Sequence, residues 1–202
     1  MIINKVCDAA VNVLTPMNPL IKITAISDAS TSSILDSATL TVSHFTFSKH
    51  MERTPHFLTL ALGLSAVAFL RPSLESPSLE RSLELLQNGT YEISAELGAI
   101  ILMSKEKISR SDLIHMDDLE LTNLLGNSKL DQTTIEKPQA KIKRLLKDWE
   151  SECCPVYSVI GSILSQEVVN FFKDADQVIS GWLVYDSLVG TAKMLGVAQN
   201  SK

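Results

Sequence analysis

Apolar residues recur at helical spacing along much of this chain, and two stretches are too apolar for an ordinary surface helix. In the first, Phe57 to Leu70, only Thr59, Gly63 and Ser65 interrupt the apolar run. Thr54 and Pro55 precede it as a cap and a first-turn proline, so the pattern predicts a helix that is apolar nearly all round and therefore buried. Arg71-Pro72 ends it. In the second, Pro155 takes the first helical position, and at about 100° per residue Val156, Val159, Ile160, Ile163, Leu164, Val168 and Phe171 cover one broad arc. The opposite arc is narrow and holds Ser158, Ser162 and Ser165, small enough to let a second backbone come close. Gly161 beside them is expected to permit close helix-to-sheet packing, at a propensity cost of about 1 kcal/mol. Glu167 projects from the middle of the apolar arc, where an unpaired carboxylate is costly. It needs hydrogen-bond donors, either on a partner subunit or within the chain's own core.

Around these stretches the pattern predicts a layered α/β chain. Residues 4–14 carry Val6, Ala9, Ala10, Val13 and Leu14 on one helical side, and Pro16-Met17-Asn18-Pro19 forms a stop. Leu20 to Ile26 then reads as a strand. Ser27 to Ser37 is rich in Ser, Thr and Asp, which compete for backbone hydrogen bonds, and is expected to be a loop. Thr39 to Phe47 has strand composition. Ser73 to Ser78 reads as an exposed connection, Glu80–Leu86 and Glu92–Lys105 as amphipathic helices, and Ser111-Asp112 as the start of a further helix stopped at Gly126-Asn127. Asn88-Gly89 is a helix-ending turn, and Trp182 to Val197 a strand pair with Gly190 in its turn. The expected organisation is a partial α/β segment over 1–48, a mainly helical insertion over 50–135, and a C-terminal α/β segment over 137–202 that completes the same domain.

At 202 residues and 45% hydrophobic content the chain can bury a sizeable core. A net charge of −5 argues against a nucleic-acid surface, which needs clustered positive charge. The apolar window of fourteen residues from Phe57 is too short to cross a bilayer, and no basic-then-apolar leader opens the sequence, so no membrane partner is expected. Cys7, Cys153 and Cys154 are odd in number and badly spaced for a framework disulfide, which favours a reducing, intracellular compartment. Lys141, Lys143, Arg144 and Lys147 form a basic run that reads either as a nuclear-import signal or, more commonly on a helix, as one solvated face.

Catalytic and ligand-binding motifs are missing from the sequence. The eight glycines include no Gly-x-Gly pair, so no phosphate-cradling loop is expected and the chain should bind no ATP on its own. His44, His50 and His56 are six residues apart, which suits no usual zinc spacing, and no Cys-x-x-Cys supplies other ligands. Gly161-Ser162 lies inside an apolar helix without the nucleophile-elbow pattern. Cys153 and Cys154 precede a helix N-terminus, which can depress a thiol pKa, but incidental thiols outnumber catalytic ones there. No catalytic, cofactor-binding or metal-ligating residue is assigned.

The Pro155-Val156…Gly161…Gln166-Glu167 helix, followed by Trp182-Leu183-Val184-Tyr185-Asp186 and Leu188-Val189-Gly190, resembles the C-terminal end of the non-cysteine subunits of SUMO-activating enzymes, in the ThiF-type ubiquitin-activating family. The Met17-Asn18-Pro19 turn after a helix is similar too. The resemblance implies a partial Rossmann-like (ThiF-type) layered domain, shortened or divergent, because the family's first strand, glycine loop and middle strands have no counterpart here. It implies a nuclear, or nuclear and cytoplasmic, supporting subunit that pairs with a cysteine-bearing subunit, the partner holding ATP and Mg and meeting SUMO directly. Alone, this chain is expected to be inactive. Pro155, Gly161, Gln166, Glu167 and Asp186 carry over as interface or structural positions. The other readings are a non-enzymatic helical adaptor or inactive paralogue that keeps only the interface, and the supporting subunit of the neddylation-activating enzyme.

Overall fold

The computed structural model describes residues 2–17, 19–20, 22–24, 38–44, 54–89, 91–105, 108–132, 136–174 and 178–196. They fall into two compact units, residues 1–38 and 39–202. In the first, helix α1 (Ile2–Met17) extends the expected helix, with Pro16 inside its last turn. The strand expected over 20–26 does not form where it can be followed: Leu20 is in a turn and 95% exposed, and Lys22 to Thr24 are irregular and pair with no described strand. Leu20 has nothing apolar to cover it, and a strand without a neighbour has no ladder to hold it. Ser27 to Ser37, Phe47 and His50 lie outside the described residues.

The second unit is built on a five-stranded sheet. Its strands are β1 (Thr41–His44), β2 (His56–Leu62), β3 (Ser65–Arg71), β6 (Gly181–Asp186) and β7 (Thr191–Gly196), in the order β1-β2-β3-β6-β7. The β1–β2 pair is parallel and the other three pairs are antiparallel. The helix expected over 57–70 is therefore a hairpin, and it supplies two central strands. Leu62 pairs with Ser65 across a two-residue loop whose first position is Gly63 at φ 63°, the left-handed conformation a tight hairpin turn requires there. A strand buried on both faces reads as an unbroken apolar run, without the period-two alternation that would separate it from a buried helix. Every residue of β3 is buried, and only Thr59 in β2 is partly exposed.

Each face of the sheet has its own core. Leu58, Leu60, Leu62, Val67, Phe69, Trp182 and Val184 face a helical layer. It contains α2 (Leu79–Gln87), α3 (Ala95–Met103), α4 (Arg110–His115), α5 (Asp118–Leu125) and α6 (Pro138–Lys147). Ser78, Ser94, Ser109 and Asp117 each accept a backbone N–H at the start of α2 to α5, and Asp117 with Glu120 closes a capping box. Asp117 thus starts a second helix where the sequence reads as one. The helix expected from Glu92 begins only at Ala95, because Glu92–Ile93 (β4) pairs in parallel with Lys129–Leu130 (β5). Of the segment 50–135, expected to be mainly helical, residues 56–71 thus belong to the sheet.

Phe57, Ala66, Ala68, Leu70 and Leu183 form the other face, against Val156, Ile160 and Leu164 of α7 (Cys154–Lys173). The Phe171 and Phe57 rings stand edge to face, their centroids 6.4 Å apart and their planes at 85°. Small side chains do let helix and sheet approach, but they are Ala66 and Ala68 of β3. Gly161 is exposed, and a Cβ built on it meets nothing within 4 Å, so its expected role in close helix-to-sheet packing is not the one it has. The chain is a mixed α/β protein with helices on both faces of a mixed sheet.

Candidate functional site

Two features of this unit hold unusual side chains: a buried charge cluster at one end of the central strands, and α7 with its two contrasting faces. The cluster begins with Lys141. In α6, Ile142, Leu145 and Leu146 are buried, and Lys141 shares their side of the helix. Its ammonium lies 2.8 Å from Glu96 Oε1 and 2.6 Å from Asp186 Oδ2. Ser65 Oγ donates to the same Glu96 oxygen at 3.2 Å, and the Leu188 amide donates to Asp186 Oδ1 at 2.9 Å. Glu96 stands in the first turn of α3, Ser65 opens β3 and Asp186 closes β6, so the cluster ties the helical layer to the sheet. All three charges are buried, with side-chain exposures of 5%, 1% and 10% for Lys141, Glu96 and Asp186.

Burial is the largest single influence on Lys141 and works to lower its pKa. The field of Glu96 and the hydrogen bonds to Asp186 and Glu96 together outweigh it, leaving the pKa above the ordinary 10.5. A lysine held this way is a fixed cation. It is no base or nucleophile at neutral pH, since both roles need the free amine. Lys141 was expected on a solvated basic face, and the structure corrects that. Lys143 and Arg144 are half-buried, pairing with Asp118 at 2.9 Å and Glu136 at 3.1 Å, and Lys147 is exposed.

Helix α7 buries Val156, Ile160, Leu164 and Glu167. The Glu167 carboxylate finds its donors within this chain: Oε2 accepts the Ile179 amide at 3.0 Å and Oε1 the Asn170 side-chain amide at 3.2 Å. It pins the segment that leads into β6. Gln166 is exposed and donates to Asn170 Oδ1 at 3.0 Å, while Pro155 is exposed in the first turn. Ser158, Ser162 and Ser165 line the exposed face, each hydroxyl folded back onto the carbonyl four residues earlier at 2.7–2.9 Å. With its hydroxyl protons bonded inward, this face is made of small side chains, flanked by exposed Gln166 and continued by exposed Val169 and Phe172. The five site candidates therefore separate: Glu167 and Asp186 are buried in different places, and Pro155, Gly161 and Gln166 are exposed on α7.

Among the described residues no group of three His, Cys, Asp or Glu is placed to hold a metal ion, and no helix is long and apolar enough to cross a membrane. His56 is buried, with Nδ1 against the Thr54 carbonyl at 2.9 Å. Cys153 is half-buried and Cys154 exposed at the start of α7, both as free thiols. Nearby Tyr157 has its phenol pKa raised by burial and by the charges of Glu152 and Glu150.

No protein-family model and no curated protein matches the chain.

Glu96 and Ser65 carry no sequence signal for the charge cluster, because their partners lie tens of residues away. Lys141 carries one: it falls four residues before buried Leu145, in phase with the apolar stripe of its helix.

Proposed function

We propose that this chain is the supporting subunit of a heterodimeric SUMO-activating enzyme, which assists ATP-dependent adenylation and thioester formation on a cysteine-bearing partner in the nucleus. The observation that carries the reading is α7. Its motif residues resemble the family's, and its outer face is exposed, with small Ser158, Gly161, Ser162 and Ser165 followed by apolar Val169 and Phe172. Small residues at helical spacing with inward-bonded hydroxyls suit close approach of a second helix. Under this reading the sheet with helices on both faces is a ThiF-type layered domain. Glu96, Lys141 and Asp186 hold it rigid, and ATP and Mg belong to the partner.

A second reading, an adaptor that keeps the interface without supporting turnover, is favoured by the absence of any Gly-x-Gly pair in the sequence. Co-expression with the cysteine-bearing subunit, size-exclusion chromatography and an assay for ATP-dependent SUMO thioester separate the two. Co-elution with thioester formation is the expected result. Co-elution without thioester selects the adaptor, and failure to associate overturns both. Gly161→Leu, which has open space around it in the isolated chain, should abolish co-elution while leaving the circular dichroism spectrum intact.

A further inference from the structure

Strand β7 ends the sheet, and among the described residues no strand or loop pairs its outer edge. Edge strands are usually blunted by proline, a bulge or an outward charge. β7 has neither proline nor bulge: its six residues pair with β6 in unbroken register, and its one charge, Lys193, is 59% exposed and pairs with Asp131 at 2.8 Å. Thr191 to Met194 are exposed.

A cleft of about 210 Å³ opens beside this edge. Leu97, Val184 and Leu195 give it an apolar lining, and Glu92, Asp131 and Lys193 a polar one. The register explains the arrangement: Lys193 and Leu195 lie opposite Val184 and Trp182, on the sheet face that carries α3 and the β4–β5 pair. The volume is below the roughly 300–1,000 Å³ of small-molecule sites, and suits a side chain or two. Its charges sum to −1, from two carboxylates and one ammonium, and Glu92 is exposed.

We propose that the β7 edge is a strand-addition site for an extended peptide segment of another protein. Main-chain hydrogen bonds to β7 would supply affinity. Alternate side chains would enter the cleft, a basic one over exposed Glu92 and an apolar one against Leu97 and Leu195. A second copy of this chain fits less well. Two-fold pairing of β7 with itself sets both clefts on one face and brings their acidic rims together, adding repulsion between chains that each carry −5. The site lies on β7 and β4 rather than on α7, so it stands or falls independently of the heterodimer.

The test titrates the full chain into a fluorescein-labelled, N-acetylated Val-Lys-Val-Leu-Val-Thr peptide and follows anisotropy. Saturable binding is expected, lost when alternate peptide amides are N-methylated in one of the two phases and kept in the other. Replacing the peptide lysine by glutamate should weaken binding by roughly three- to tenfold. Glu92→Lys, at an exposed position, should reverse that preference, and Lys193→Gln should tighten binding of the basic peptide. The proposal is overturned by no saturable binding, by equal binding of both N-methylated forms, by a charge preference that neither variant moves, or by sedimentation that shows β7-dependent dimers instead.

Discussion

Replacing Lys141 with methionine tests the buried charge cluster most directly. Methionine keeps most of the side chain's length but removes the ammonium that lies 2.8 Å from Glu96 and 2.6 Å from Asp186. Two carboxylates then remain in a site where the side chains are 1% and 10% exposed, with only the Ser65 hydroxyl and the Leu188 amide to answer them. Breaking one partner out of a buried ion pair costs about 3–5 kcal/mol, because the surviving charge loses its compensation without regaining water. Here two charges survive, so the upper part of that range applies at about pH 7. Urea unfolding followed by the fluorescence of Trp149 and Trp182 measures it. A loss below ~1 kcal/mol at about pH 7 would refute the reasoning. The triple variant Lys141→Met, Glu96→Gln, Asp186→Asn removes every charge at once and should recover most of the loss.

Lys141 also fixes an alkaline limit. With its folded pKa raised above 10.5, its stabilising contribution is complete below that value and is lost as pH rises through the raised one, so urea midpoints should fall only in strong alkali. Glu167→Ala strands the Ile179 amide and should cost about 1–3 kcal/mol in urea unfolding; a loss within error of zero would show that water satisfies that amide. Gly161→Ala should stabilise the isolated chain by roughly 0.5–1 kcal/mol, because the helix gains propensity and the new methyl meets nothing. Gly89→Ala should do the reverse: at φ 72° a Cβ would overlap the Asn127 carbonyl oxygen, and thermal unfolding should shift down by several degrees, on the order of 1–2 kcal/mol.

Elements with one exposed face were legible from sequence. Ser78 ahead of α2, Pro155 in the first turn of α7 and Gly190 between β6 and β7 mark boundaries through local chemistry. The hairpin β2–β3 was not legible by period, because α7 covers one of its faces and the helical layer the other, which erases the alternation that reports a strand. Gly63 in the middle of the apolar run was the signal available: a helix interior gains nothing from glycine, whereas a two-residue turn needs it. The candidate site was partly legible. Glu167 stood out as a carboxylate on an apolar arc, although helical phase could not reveal that its donors come from Asn170 and Ile179. Glu96, Lys141 and Asp186 meet only after three elements pack, so no spacing rule could have joined them.

The pairing of β3 with β6 sets an order of events when the chain is made. Phe69 lies opposite Trp182, about 110 residues further along, and β3 has no other neighbour on that side of the sheet. At ~5–20 residues per second a ribosome needs roughly 6–22 s to deliver β6 after β3 has emerged. Throughout that interval the hairpin can form and helices can reach its faces, but the edge of β3 that β6 will occupy stays open. A nascent chain in this state invites wrong strand pairing, so its yield in the cell should depend on holdase chaperones acting within those seconds, more than on the stability of the finished fold.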